Sequence, residues 1–137
     1  MTRLPLVALA LAGFALPAVA QAPRQSSLAN QILGTWEGPY QSESVPPGSL
    51  KLVVARGEQN SWKVTMEVLS DQPPPAGEVQ NFTVTNDSVS WTQLIAEMEC
   101  RSTATLVAGV LKGTAECWQG GAVAVTATFL LEKKAGS

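Results

Sequence analysis

The chain has 137 residues, two cysteines, four tryptophans and no histidine, with nine lysines and arginines against eleven carboxylates. A net charge of −2 spread along so short a chain gives no basic footprint for nucleic acid or an anionic membrane surface. Without histidine, Ser-His and Cys-His nucleophiles and the common zinc sites are excluded, so no metal, no cofactor and no enzymatic activity is expected.

Residues 1–20 read as a secretory signal peptide. Arg3 supplies the early cation, Leu4 to Leu16 an apolar run, and Ala18-Val19-Ala20 the small-residue cleavage site before Gln21. The run is short for a membrane span, and no cysteine follows it to carry a lipid. The mature protein is therefore expected to be secreted or periplasmic, with no membrane span. A polar leader, 21–31, precedes a domain over 32–134, and 135–137 form a tail. That length holds one small domain.

From Ile32 onward the apolar residues alternate with period two, and no helical period is sustained. Eight strand-like runs result: Ile32–Gln41, Ser49–Arg56, Ser61–Ser70, Glu78–Thr85, Ser88–Gln93, Cys100–Val107, Val110–Trp118 and Ala122–Lys133. Val, Thr, Trp and Phe in these runs suit half-buried pleated surfaces. The fold class predicted is all-β.

Two hairpins can be registered. Setting Cys100 opposite Cys117 places Ala104 against Gly113 and Leu106 against Leu111, with Ala108-Gly109 left as a two-residue turn. Arg101 then faces Glu116 and Thr103 faces Thr114 on the other side of the sheet, so polarity matches on both faces. Counting from the turn, Cys100 and Cys117 form a non-hydrogen-bonded pair with close Cα atoms, which accepts a disulfide. A redox-active pair is the alternative, but the spacing lacks the CxxC that depresses a thiol pKa. In the second hairpin Asn86-Asp87 turn, Val84 faces Val89, Phe82 faces Trp91 and Gln80 faces Gln93. Asn81 and Asn86 also match glycosylation sequons, although strand and turn roles account for both.

The connections then sort by end. Gly57 to Asn60, Asn86-Asp87 and Ala108-Gly109 are tight, whereas Ser42 to Gly48, Asp71 to Gly77 and Leu94 to Glu99 are long, with a shorter Gln119 to Gly121. Successive connections of an up-and-down meander alternate between ends, so one end is laced shut and the other carries the long loops. Eight antiparallel strands of this kind close into a small barrel without exposed edges. The expected shape is a cup with a mouth.

Trp36 enters near the closed end, with Gly34 and Gly38 on its inward face leaving room for the indole. A small barrel needs such a plug. Gly34-Thr35-Trp36 resembles the Gly-x-Trp signature of the lipocalins and the wider calycin group. That resemblance implies an eight-stranded barrel, a small apolar ligand, and a basic residue from the last strand over the tryptophan, a place Lys133 would fill. "GTWEG" and "TATFLLEKK" are also similar to avidins, with Gly38 and Pro39 where a polar biotin contact is expected.

Two functions of different class follow. In the first, the protein carries a small apolar or amphipathic molecule in the upper cup, touching Met66, Val68, Gln80, Trp91 and Gln93. In the second, the interior is filled and the mouth loops bind another exported protein through Val45, Pro46, Pro47, Pro73, Pro74, Pro75, Leu94, Ile95 and Met98. Stiff prolines beside spare apolar side chains would preorganise such a surface. From a turn, Leu94, Ile95 and Met98 cannot all point inward, so some are expected to cover the mouth or lie exposed. Glu43, Asp71, Glu78, Glu97 and Glu99 gather at the mouth, where they could serve as acid and base or bind calcium, or simply be solvated. The volume of any cavity at the mouth separates carrier from interaction module.

Overall fold

The structure is a computed structural model and describes residues 27–135. The signal peptide expected over 1–20 and the first part of the leader lie outside the described residues.

The end of the expected polar leader is structured. Ser27 caps a single helical turn, α1 (Leu28–Gln31), its hydroxyl accepting from the Asn30 backbone N–H at 3.3 Å. Ile32 still has helical dihedrals, and Gly34, at φ 128°, swings the chain into the first strand. The strand therefore begins at Gly34, not at Ile32, and the freed Ile32 side chain is buried beneath the barrel together with Leu28.

Eight strands follow: β1 (Gly34–Gln41), β2 (Gly48–Arg56), β3 (Trp62–Leu69), β4 (Gln80–Val84), β5 (Ser88–Ile95), β6 (Met98–Val107), β7 (Val110–Gln119) and β8 (Ala122–Lys133). All pairings are antiparallel, in the order β3-β2-β1-β8-β7-β6-β5-β4. The up-and-down barrel expected from the sequence is thus present, and the β1–β8 ladder wraps it round. One seam remains between β3 and β4, which end the sheet. Side chains span it: the Trp62 and Phe82 rings meet edge to face with centroids 5.3 Å apart.

The β6–β7 hairpin has the register read from the cysteines, from Cys100↔Cys117 to Val107↔Val110. A Cys100–Cys117 disulfide joins it, with Cα atoms 3.9 Å apart. Arg101 faces Glu116 in the ladder, yet its ion pair is with Glu99, Nε to Oε2 at 2.9 Å, because stacking over Trp118 turns the guanidinium along its own strand.

Two other expectations change. Leu94 to Glu99 is not a long loop: β5 and β6 run on to an Ile95↔Met98 pair, and Ala96-Glu97 alone turn the chain at φ 50° and 67°. Two left-handed residues make the turn whose twist suits a tight hairpin, although neither is a typical occupant. In β4, Val84↔Val89 is as expected, but Gln80 faces Thr92 instead of Gln93. Asn81 at φ 59° bulges the strand, and its Nδ2 donates to Thr92 Oγ1 at 3.1 Å. The bulge turns Gln80 out to solvent, and Val79 packs against the core.

The core fills the closed half. Trp36, Leu52, Val54, Val89, Trp91, Leu111 and Leu131 are all buried there, each apolar side chain contributing roughly 1.5–3 kcal/mol. The Trp36 indole N–H donates to the Ile32 carbonyl at 2.8 Å, which fastens ring and helical turn together. A side chain at Gly38 would run into the Leu130 carbonyl, so β1 approaches β8 closely there only because the residue is glycine.

Candidate functional site: a cavity at the barrel mouth

Above this core the inward residues become small. Ser102 on β6, Ala115 on β7 and Ala127 on β8 leave a cavity of about 640 Å³ that opens between the mouth connections. Phe129 forms its floor. The ring lies over Gly113, where any side chain would collide with it. Trp91 stacks against the far side of Phe129 with centroids 6.1 Å apart, and Phe82 follows Trp91 at 6.0 Å, so an aromatic layer separates cavity from core.

Leu50, Met66 and Val68 make one wall, and the Cys100–Cys117 bridge with Val125 makes the opposite one. The rim comes from 42–47 and 70–79 and from the ends of β5 and β6. Val45, Pro46, Pro47 and Pro74 face the cavity from the two long loops, and Ile95 and Met98 from the short hairpin. The Ala96 N–H donates to the Pro75 carbonyl at 2.8 Å, and the Gly77 N–H to the Leu94 carbonyl at 2.7 Å, so the proline loop is pinned to that hairpin.

The residues expected to touch a ligand divide. Met66 and Val68 line the cavity; Gln80 is outside the barrel, displaced by the Asn81 bulge. Trp91 lies beneath the floor, 2% exposed. Gln93 stands behind the wall, where its Nε2 donates to the carbonyls of Met66 at 3.0 Å and Gly77 at 2.8 Å, tying β5 to the edge strand β3. Among the described residues Gln93 Oε1 and Trp91 Nε1 are buried without a hydrogen-bond partner.

The residues expected in partner-binding loops divide as well. Leu94, Ile95 and Met98 belong to strands: Ile95 and Met98 turn inward, and Leu94 is 58% exposed. Pro73 and Pro75 lie off the cavity wall, in contrast to Pro74. Lys133 and Trp36 sit at the opposite end, with the Nζ 5.3 Å from the indole centroid and donating to the Gln31 carbonyl at 3.0 Å.

Several wall residues are absent from the sequence-based set, among them Tyr40, Leu50, Ser102, Ala115, Val125 and Phe129. Period-two alternation marks such positions as inward, but height along the barrel decides which of them meet open space. Strand tilt sets that height, and alternation carries no trace of tilt.

Asp71 is the charged side chain of the described cavity lining. Glu43, Glu78, Glu97 and Glu99 are exposed around the same rim, and no group of three potential metal-binding side chains converges among the described residues.

No family model matches the chain, and no curated protein matches it. Among solved structures, a redesigned beta barrel is similar over 80% of this chain and 99% of its own length, at 18% identity and a TM-score of 0.59. A likeness at that identity concerns the fold alone: the chain is a small, nearly closed antiparallel β-barrel with a disulfide across one hairpin.

Proposed function

We propose that this is an exported, non-enzymatic protein that binds a small apolar or amphipathic molecule in the mouth cavity. The observation that carries the reading is the cavity itself: about 640 Å³, walled by apolar side chains and floored by Phe129. Ligand sites are typically concave, mostly apolar and of this size. The disulfide supports an oxidising compartment, in line with the signal-like residues 1–20. The Gly-x-Trp resemblance to lipocalins points the same way. A chain without histidine, whose rim carboxylates stay dispersed, favours holding a molecule over transforming it.

Titration with the neutral dye N-phenyl-1-naphthylamine tests the reading. Saturable binding with blue-shifted emission and energy transfer from Trp91 is expected. Ala127→Trp and, separately, Ala115→Leu fill the cavity and should each weaken binding about tenfold or more if they remain folded. A folded native protein that takes up no dye would overturn the proposal and leave the rim as a docking surface, for which the exposed Leu94 is the supporting observation.

A further inference from the structure

The sign of the charge around the mouth bears on which amphiphile the cavity takes. Its walls offer no lysine or arginine among the described residues, and Asp71 lines it at the rim. Four more exposed carboxylates belong to the same end: Glu43 in residues 42–47, Glu78 in 70–79, Glu97 in the β5–β6 turn and Glu99 beside it. Two described cations belong to the mouth half: Arg101, already engaged by Glu99 at 2.9 Å and stacked 4.8 Å above the Trp118 ring, and Lys51 on the outer face of β2, opposite Glu37 and Glu67 in the ladders. Arg56, Lys63, Lys112, Lys133 and Lys134 lie toward the closed end, on the far side of the aromatic floor.

We propose that the cavity selects cationic amphiphiles, taking the alkyl tail inside and holding an ammonium head beside Asp71 at the rim. This rests on the binding reading above and gives its ligand a chemical class. An apolar tail gains by leaving water for the Leu50, Met66 and Val68 wall. A charged head gains nothing by following it, because burial without a partner is costly. At the rim the head remains solvated while a low-dielectric opening ringed by carboxylates concentrates cations. A fatty carboxylate of equal tail length has the same apolar gain, but its head meets Asp71 and the further carboxylates of Glu43, Glu78 and Glu97, with no cation in the described wall to answer it.

The test is displacement of bound N-phenyl-1-naphthylamine by dodecyltrimethylammonium, 1-dodecanol and dodecanoate, each kept below its micelle concentration. At low salt the ammonium compound should displace the dye at a concentration about tenfold or more below that of dodecanoate, with 1-dodecanol between them. The ratio should shrink in about 1 M salt, where the Debye length falls to about 3 Å, and also in Asp71→Asn. The salt measurement uses the native protein, so it decides even if the variant misfolds. Equal or tighter binding of dodecanoate, a ratio indifferent to salt, or dye that none of the three displaces overturns the selectivity while leaving the binding reading intact. A native protein that never binds the dye overturns both.

Discussion

The side-chain amide of Gln93 donates to the main-chain carbonyl of Met66, 3.0 Å away, and so bridges the seam that no strand pairing closes. The same nitrogen holds the Gly77 carbonyl at 2.8 Å, so one buried side chain restrains both β3 and the approach to β4. Gln93→Leu keeps most of the volume and strips both carbonyls of their donor. Its expected cost is about 1–3 kcal/mol. Native-state hydrogen exchange should quicken in β3 while the β6–β7 hairpin is unaffected; unchanged protection in β3 would mean that the aromatic contact holds the seam alone.

Trp36 is 2% exposed and fastened to Ile32, far below the cavity. Trp36→Ala should cost about 3–5 kcal/mol, a large share of a small domain's stability. Trp36→Phe keeps an aromatic ring but loses the indole N–H, at about 1 kcal/mol for that hydrogen bond plus the lost volume. Urea melts give both values. A midpoint unchanged in Trp36→Ala, with dye binding lost, would move the tryptophan from core to site.

The Cys100–Cys117 bridge forms part of the cavity wall as well as stapling a hairpin. Protein recovered from an oxidising compartment should resist alkylation until reduced, as intact mass will show. Replacing both cysteines by alanine should lower stability by about 3 kcal/mol. Free thiols in the unreduced protein would contradict the pairing.

Ala96 and Glu97 both occupy left-handed backbone, at φ 50° and 67°. Asparagine and glycine adopt that conformation at lower cost. The double substitution Ala96→Asn, Glu97→Gly should therefore stabilise the protein by about 0.5–1 kcal/mol, raising the thermal midpoint. An open loop would show no such gain, so the sign of the change checks the hairpin.

The sequence was most readable where two independent signals coincided. In the β6–β7 hairpin a pair of cysteines, a Gly-containing turn and complementary faces all fix one register, and the ladder has it throughout. Where one signal stood alone, it misled. Apolar residues in "LIAEM" without Gly or Asn resemble a loop, yet the strand pairing on either side forces two ordinary residues into a turn. Alternation placed Gln80 inside, but a single left-handed residue, Asn81, reverses the phase, and no period-two count detects that. The short helix at 28–31 was equally hidden, since four residues are too few to show a period. As for the cavity, its wall could be anticipated as a set of small inward residues, whereas its depth depended on where Phe129 settles over Gly113.

The seam also divides the chain into two pieces that need not come from one molecule. β1 to β3 form one meander and β4 to β8 another; they are linked along the chain by residues 70–79 and in space by the β1–β8 ladder. Among the described residues no ladder joins β3 to β4, and the chain passes from one meander to the other through the proline loop. If that loop straightens in two chains at once, each β1–β3 meander can seat on the other chain's β8, and both barrels regain every strand pairing. The partners would meet mouth to mouth, with Pro73-Pro74-Pro75 favouring extended connectors. Shortening 70–79 until it can no longer double back would thus convert a lone barrel into an exchanged dimer. Loop length, more than any contact in the core, then sets whether one chain or two complete the cup.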